Sequence, residues 1–201
     1  LNDREMRMDE ATTERVLQDS MFELDNLSAY LGKLKDMVCA DERETLLRPS
    51  AFNLRELVEK VVRLTNIPTG KKVSFSTAFP PDMPDLTADP VHVANVLSNL
   101  IENAIKYSRE EVDIDIVVLW NQQGVELTVS DNGFGIAPDE RRKVFDKFYR
   151  SSHLPDKQIP GIGLGLSYVR QIVEAHHGSV SLRSELGEGT RITINLPTTA
   201  L

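Results

Sequence analysis

Residues 89–108, with the sequence DPVHVANVLSNLIENAIKYS, combine a strong helix start with a clear apolar face. Asp89 followed by Pro90 is typical of a helix N-terminus, because the carboxylate can accept the first free N–H groups and proline fits the first turn. At about 100° per residue, the apolar side chains fall in one sector, and they are Val93, Val96, Leu97, Leu100, Ile101 and Ala104. The pattern predicts a helix from Asp89 to about Tyr107 that buries one face.

A stripe of amides lies beside that apolar face. Asn95, Asn99 and Asn103 follow one another at steps of one helical turn, and Lys106 continues the stripe. A solvated helix face is the simplest explanation, but such faces usually carry Glu, Lys and Arg, which favour helices more than Asn does. An amide oxygen can ligate a hard cation such as Mg²⁺, and a lysine can meet a phosphate. The stripe therefore indicates a site for a metal ion and a phosphate.

Two glycine-rich segments follow this helix along the chain. The first, DNGFGI at 131–136, comes directly after a predicted strand, where Asp131 could accept a hydrogen bond from an exocyclic amine. An ordinary Asp-Asn-Gly turn is the alternative. The second, GIGLGL at 161–166, opens a predicted helix whose free N–H groups favour an anion. The polar stretch 150–160 is typical of a lid over a ligand.

Composition and charge argue against several classes of protein. The 201-residue chain has 31 Asp and Glu against 23 Lys and Arg, a net charge of −8 that disfavours nucleic-acid binding as its main function. No apolar run approaches the roughly 20 residues of a membrane span. The single cysteine, Cys39, cannot form an internal disulfide, which favours a reducing compartment and a cytoplasmic location.

The remaining pattern predicts strands interspersed with helices. Strands are predicted at 72–79, 112–119, 125–130, 179–184 and 191–196, a short helix at 138–147, and a longer helix at 163–176. Asn53 with Glu56 resembles the capping pair of a further helix. Hairpins with interspersed helices predict an α+β fold, a two-layer α/β sandwich in which helices cover a mixed sheet.

The first 48 residues differ from the rest. An apolar seam steps by three and four residues alternately, through Leu24, Leu27, Leu31, Leu34 and Val38, and predicts one long helix. Such a seam needs a partner helix, so we expect self-association, with docking on the chain's own domain as the alternative. Pro49 cannot continue the helix. The chain therefore divides into a helical part at 1–48 and a compact domain at 49–201.

Four motifs occur in an order that resembles a known family. NLIENAIKYS (99–108), DNGFGI (131–136), FDKFYR (145–150) and GIGLGL (161–166) resemble the N, G1, F and G2 boxes of the ATP-binding catalytic domain of sensor histidine kinases. That domain belongs to a wider family that includes type II topoisomerase, mismatch-repair and chaperone ATPases. SELGEGTRITINLP (184–197) resembles its last hairpin, so the likeness covers about 52–197. The resemblance implies the Bergerat fold, ATP as the nucleotide and Mg²⁺ as the metal.

The resemblance also implies a role for each motif residue. Asn103 would ligate Mg²⁺, Asp131 would accept a hydrogen bond from the adenine amino group, and Arg150 would reach the terminal phosphate. Phe145 and Phe148 are expected to pack beneath the lid. The implied catalytic residues are Asn99, Lys106 and Arg150. The implied nucleotide-binding set is Asn99, Asn103, Lys106, Tyr107, Asp131, Gly133, Gly135, Ile136, Arg150, Gly161, Gly163, Leu164, Gly165, Leu166 and Thr190.

The positions of the histidines bear on where the phosphate would go. In the family that this chain resembles, the acceptor histidine precedes an acidic residue on the first helix of a two-helix dimerisation hairpin. The four histidines here, His92, His153, His176 and His177, all lie outside residues 1–48. The resemblance therefore implies that 1–48 form the second helix of that hairpin and that the acceptor precedes Leu1. The chain alone is then expected not to autophosphorylate.

The same resemblance implies partners. They are a second copy of the protein, joined through the N-terminal helix, and a response-regulator receiver domain that takes the phosphate. Any membrane attachment would come only through an upstream region, as in the cytoplasmic part of an inner-membrane receptor.

Two other functions stay open from the sequence. ATP-hydrolysing clamps of the topoisomerase or mismatch-repair type place a Glu four residues before the metal-binding Asn, to activate water. Here that position is Asn99, a poor base, and Glu102 lies about 100° from Asn103 around the helix. A nucleotide-sensing module without transfer activity would keep the same motifs. The sequence favours a kinase over both.

Overall fold

The computed structural model describes residues 47–153, 159 and 161–197. Residues 1–46 of the predicted dimerisation helix (1–48) lie outside these residues, and so do 154–158 and 160 of the predicted lid, so both stay predictions; Leu47 and Arg48 are not helical. In chain order the elements are β1 (Ser50–Phe52), α1 (Leu54–Leu64), β2 (Lys72–Ala78), β3 (Leu86–Ala88), α2 (Pro90–Lys106), β4 (Glu111–Asn121), β5 (Gly124–Asp131), a 3₁₀ turn (Lys143–Phe145), α3 (Gly165–Ala175), β6 (Ser179–Glu185) and β7 (Gly189–Pro197).

Five strands form one mixed sheet in the order β2-β4-β5-β7-β6. β2 runs parallel to β4, and the other neighbours are antiparallel. Side chains of β4 alternate, with Val112, Ile114 and Ile116 buried and the charged residues between them exposed. One face of the sheet packs on the helices and the other meets solvent. The predicted α+β sandwich with a mixed sheet is confirmed.

Helix α2 begins at the predicted Asp-Pro pair. Asp89 Oδ1 accepts the N–H groups of Val91 and His92 at 3.0 and 3.1 Å. Its Oδ2 accepts the N–H of Arg48 at 2.8 Å. The predicted apolar face belongs to the core, and Leu97 and Ile101 are fully buried. This packing fixes the direction in which the neighbouring amide stripe faces.

A buried histidine joins the end of α3 to the start of α2. His176 Nε2 accepts the N–H of Asp89 at 3.0 Å, and its Nδ1 donates to the carbonyl of Ile172 at 2.8 Å. This pair of bonds uses the neutral ring with its proton on Nδ1. Burial lowers the pKa of His176, which keeps the ring in that form. The two helices that border the candidate site are thus held in a fixed relation.

The region after β5 departs from two expectations. The short helix predicted at 138–147 is a single 3₁₀ turn, Lys143–Phe145, because the chain bends there so that 149–153 can reach Glu140. The prediction that Phe148 packs beneath the lid is wrong, since its side chain is 63% exposed. Its φ of 66° and its N–H bond to the Gly163 carbonyl set that orientation. Phe145 is buried, as expected.

A small antiparallel sheet of β1 and β3 was not predicted. Three-residue strands carry too little periodicity to be recognised. In the part of the chain that the structure describes, we find no helix with the length and hydropathy needed to cross a bilayer.

Candidate nucleotide-binding site

A concave cavity opens between α2, α3 and the ends of β5 and β7. Its apolar wall is formed by Leu100, Ala104, Val129, Ile136 and Ile192. Its polar lining is formed by Asn103, Tyr107, Asp131, Arg150 and Thr190. A mostly apolar cleft with a few polar groups that converge on it is the usual form of a small-molecule site.

The amide stripe of α2 faces the start of α3. A Cβ atom placed on Gly165 would lie 3.1 Å from Asn99 Oδ1, and 3.5 and 3.8 Å from Asn103 Nδ2 and Oδ1. Asn99 is buried, and its Nδ2 donates to the Asn95 carbonyl at 2.8 Å, which leaves Oδ1 on the side of α3. Two side-chain amides therefore border one polar space. Of the two, Asn103 lines the cavity itself.

The end of α2 is fastened to both neighbouring segments. Lys71 Nζ donates to the carbonyls of Ile105 and Ser108 at 2.6 and 2.8 Å, and the Ser108 hydroxyl also donates to the Ile105 carbonyl, at 2.7 Å. Together they give partners to carbonyls at the C-terminal end of the helix. The carbonyl of Tyr107 accepts the N–H of Phe134 at 2.9 Å, which joins the helix to the first glycine segment. Sequence analysis did not find Lys71, because its partners are carbonyls that only the fold brings near.

Asp131 lies at the floor of the cavity. Its Oδ1 accepts the N–H groups of Gly133 and Thr190 at 2.8 and 3.2 Å. Burial raises the pKa of Asp131 to about 6, although the two N–H donors act in the opposite direction. Since both of these bonds go to Oδ1, Oδ2 is the carboxylate oxygen that remains for a donor on a ligand.

Two glycines are required by close approaches around this floor. A Cβ atom on Gly133 would lie 2.5 Å from the Tyr107 carbonyl oxygen and 2.7 Å from Asp131 Oδ1. Gly163 has a φ of 78°, and a Cβ there would lie 2.5 Å from the Tyr149 carbonyl oxygen. A side chain at either position would displace a neighbour that shapes the cavity.

Helix α3 presents its N-terminus to the same polar space. The N-cap position is Leu164, whose side chain offers no acceptor, so the first-turn N–H groups have no side-chain cap. Leu164 itself is buried. Lys106 Nζ lies beside Gly161 and 5.2 Å from the centroid of the Tyr107 ring. A helix N-terminus and an ammonium group together favour an anion at this end of the cavity.

The start of the predicted lid lies along one side of the cavity. Tyr149, Arg150 and Ser151 line it. Arg150 Nη2 donates to the carbonyl of Ile159, so the two ends of the 150–160 stretch meet. Tyr107 faces this side too, and burial raises the pKa of its phenol.

The structure brings most of the predicted binding residues to the cavity wall. These are Asn103, Tyr107, Asp131, Gly135, Ile136, Arg150, Gly163, Gly165, Leu166 and Thr190. Asn99, Lys106, Gly133, Gly161 and Leu164 do not line the wall. Asn99, Lys106 and Gly133 lie next to residues that do, Gly161 lies beside Lys106, and Leu164 is buried.

Several wall residues were missed by sequence analysis. They are Leu100, Ala104, Val129, Val144, Tyr149, Ser151 and Ile192. Most of the apolar members lie at helix or strand positions that the periodicity assigns to the core. These core residues also line the cavity, and periodicity alone does not distinguish the two roles. Tyr149 lies within FDKFYR, which is the signal that could have found it.

Comparison with known proteins places the chain in a class of ATP-binding domains. Residues 88–200 match the family described as "Histidine kinase-, DNA gyrase B-, and HSP90-like ATPase". Sensor protein RprX of Bacteroides fragilis is 33% identical over 180 residues, which are 87% of this chain and 34% of that protein. The adaptive-response sensory kinase SasA of a Synechococcus strain is 32% identical over 196 residues, which are 96% of this chain and 52% of SasA.

A solved structure agrees in fold. The catalytic domain of histidine kinase ThkA, in a nucleotide-free form, superposes with a TM-score of 0.62 at 26% identity, covering 76% of this chain and 99% of that domain. The chain therefore belongs to the histidine kinase-like ATPase family, and it corresponds to the ATP-binding catalytic portion of a sensor histidine kinase. It spans about half or less of the length of the two curated relatives.

Proposed function

We propose that this chain binds Mg-ATP in the cavity and presents the γ-phosphate to a histidine on a dimerisation helix. The observation that carries the proposal is Asp131, a half-buried carboxylate with one oxygen fixed by two backbone N–H groups, at the floor of an apolar slot. Across the cavity stand the amide of Asn103 and the uncapped start of α3. One end of the cavity suits a flat base, and the other suits phosphates.

At the base end, Oδ2 of Asp131 would accept a hydrogen bond from the adenine amino group. Guanine carries a carbonyl at the corresponding position, and a carboxylate facing it is repulsive. The hydroxyl groups of Thr190 and Ser184 are hydrogen-bonded at 2.9 Å, and the backbone N–H of Thr190 donates to Asp131 Oδ1. Thr190 therefore contributes mainly by holding Asp131 in place.

At the phosphate end, the residues present suit Mg²⁺. The oxygens of Asn99 and Asn103 are hard donors, and Mg²⁺ usually binds through one or two protein oxygens together with phosphates and waters. Consistent with such an open site, the described residues hold no group of three or more His, Cys, Asp or Glu that could cage a metal. The ion would neutralise charge on the transferring phosphate, while Lys106 and Arg150 would orient its oxygens.

Transfer to a histidine is favoured over hydrolysis by what stands near Asn103. The position one turn earlier is Asn99, whose amide is a poor base and already donates to a backbone carbonyl. Glu102, the adjacent carboxylate, is exposed rather than directed at the cavity. Neither of these two described neighbours of Asn103 supplies a carboxylate directed at the cavity to activate water, which favours holding the phosphate for an external acceptor.

The acceptor and the partners follow from this proposal. The acceptor would be a histidine of a dimerisation hairpin to which residues 1–48 contribute, and a response-regulator aspartate would then receive the phosphate. The experiment mixes the chain and radiolabelled ATP with a hairpin from a sensor kinase that carries a His followed by an acidic residue. Acid-labile, alkali-stable label on the hairpin alone is the expected result. Release of free phosphate without labelled histidine would instead favour hydrolysis.

A further inference from the structure

A buried carboxylate beside the cavity has no place in the chemistry above. Glu140 is 1% exposed, and it follows the first glycine segment on the loop that leads to the 3₁₀ turn. Its Oε1 accepts the hydroxyl of Tyr149 at 2.9 Å and the N–H of Ser152 at 3.0 Å. Its Oε2 accepts the hydroxyl of Ser151. The Ser152 hydroxyl and His153 Nδ1 lie 3.1 and 3.2 Å from Oε1.

All of these partners come from one short segment, 149–153. Three consecutive members of that region, Tyr149, Arg150 and Ser151, line the nucleotide cavity. Glu140 does not line it. Glu140 therefore holds, from outside the cavity, a segment of chain that forms part of the cavity wall.

The contacts favour the ionised form of Glu140. Burial by itself raises the pKa of Glu140, but the hydrogen bonds of the segment, that from Ser151 foremost, outweigh it and lower the pKa to about 2. An ionised carboxylate can accept on both oxygens at once and donates nothing. An amide of the same shape offers one acceptor and places an N–H₂ group against at least one donor.

We infer that Glu140 is a positioning residue for the bound nucleotide, one that fixes 149–153 so that Tyr149, Arg150 and Ser151 face the cavity before ligand arrives. This inference rests on the proposed ATP site. Because Arg150 is assigned to the terminal phosphate, the effect of Glu140 falls on the third phosphate more than on the rest of the nucleotide.

The test compares Glu140→Gln with Asp139→Asn in the full chain. Asp139 is the exposed carboxylate next in sequence, so its substitution removes the same charge without the contacts. Calorimetry with Mg²⁺ measures the affinity of each variant for ADP and for a non-hydrolysable ATP analogue. Hydrogen exchange without nucleotide follows the backbone N–H of Ser152, which donates to Glu140.

For Glu140→Gln we expect about a tenfold loss for the ATP analogue, the scale of one lost charge-assisted contact, and a clearly smaller loss for ADP. Exchange at Ser152 should quicken, and Asp139→Asn should match the parent in every measurement. Unchanged affinity, or equal losses for the two nucleotides, would overturn the positioning role. If Glu140→Gln does not fold, Ser152→Ala decides between the same outcomes, since it removes a hydroxyl donor to Glu140 at a residue that does not line the cavity.

Different results would refute the ATP site and the positioning role of Glu140. A parent chain that binds neither nucleotide refutes the ATP site, and the positioning role falls with it. A parent that binds both nucleotides, with Glu140→Gln indistinguishable from it, refutes the positioning role alone.

Discussion

Replacing Asp131 with Asn should stabilise the protein without ligand while weakening its recognition of ATP. Burial raises the pKa of Asp131 from 3.8 to about 6, so the native state disfavours the charged carboxylate. At 1.36 kcal/mol per pKa unit, this difference corresponds to about 3 kcal/mol. Asn has the same shape, and its Oδ1 can still accept the N–H groups of Gly133 and Thr190.

The sign follows from proton linkage. Between pH 3.8 and about 6 the native state binds the proton that the unfolded state has lost, so stability contributed by Asp131 falls as pH rises through that window. At pH 8 the full cost is present in the parent and absent from Asp131→Asn. At pH 4 the two should be nearly equal.

Urea unfolding of both proteins at several values between pH 4 and pH 8 measures this difference. We expect Asp131→Asn to gain up to about 3 kcal/mol at pH 8 and close to nothing at pH 4. An Asp131→Asn protein that is no more stable than the parent at pH 8 would refute the reasoning. So would a gain that does not vary with pH, since it would arise from something other than a buried charge.

The remaining predictions concern the metal, a helix end and the histidines. Asn103→Ala should weaken binding of an ATP analogue by about 1 kcal/mol or more, in calorimetry with Mg²⁺ but not without it, and an unchanged Mg²⁺ dependence would remove Asn103 from the metal site. His177→Gly should raise the free energy of unfolding by up to about 1 kcal/mol, because His177 has a φ of 58° at the end of α3, and urea unfolding that shows a loss would contradict this. Incubated alone with radiolabelled ATP, the chain should acquire no acid-labile, alkali-stable label, since His176 is buried and His92 Nδ1 is paired with Tyr168 at 2.9 Å. His153 Nδ1 lies 3.2 Å from Glu140 Oε1, and neither His153 nor His177 lines the cavity. Label on the chain would make one of its four histidines an acceptor.

Helix α2 shows what the sequence can predict well. Its cap, its apolar face and its amide stripe are local patterns, because each depends on spacing within one helix, and the structure has the helix at Pro90–Lys106. The bounds of the five sheet strands were predicted to within a few residues for the same reason. Alternation of apolar and polar residues along β4, for example, shows which of its side chains are buried. The glycine segments were recognised as turns next to a strand and a helix.

The segment 137–153 shows where such patterns end. A helix was predicted at 138–147, yet contacts that span the bend, from Tyr149 and Ser152 to Glu140, prevail over propensity. Lys71 and His176 were missed for a related reason. Each bonds to backbone groups far away in sequence, so no local spacing reveals it. In the same way, the cavity wall could not be told from the core until the helices were placed on the sheet.

The most direct test of the nucleotide site is a calorimetric titration of the parent chain with Mg²⁺ and non-hydrolysable analogues of ATP and GTP, with Asp131→Asn beside it. We expect one ATP analogue to bind per chain, a GTP analogue to bind at least about tenfold more weakly, and Asp131→Asn to show a smaller preference for ATP. Failure of the parent to bind the ATP analogue, or equal affinity for the two analogues, would contradict the proposed nucleotide site. A preference for ATP that survives unchanged in Asp131→Asn would reduce Asp131 to a turn residue.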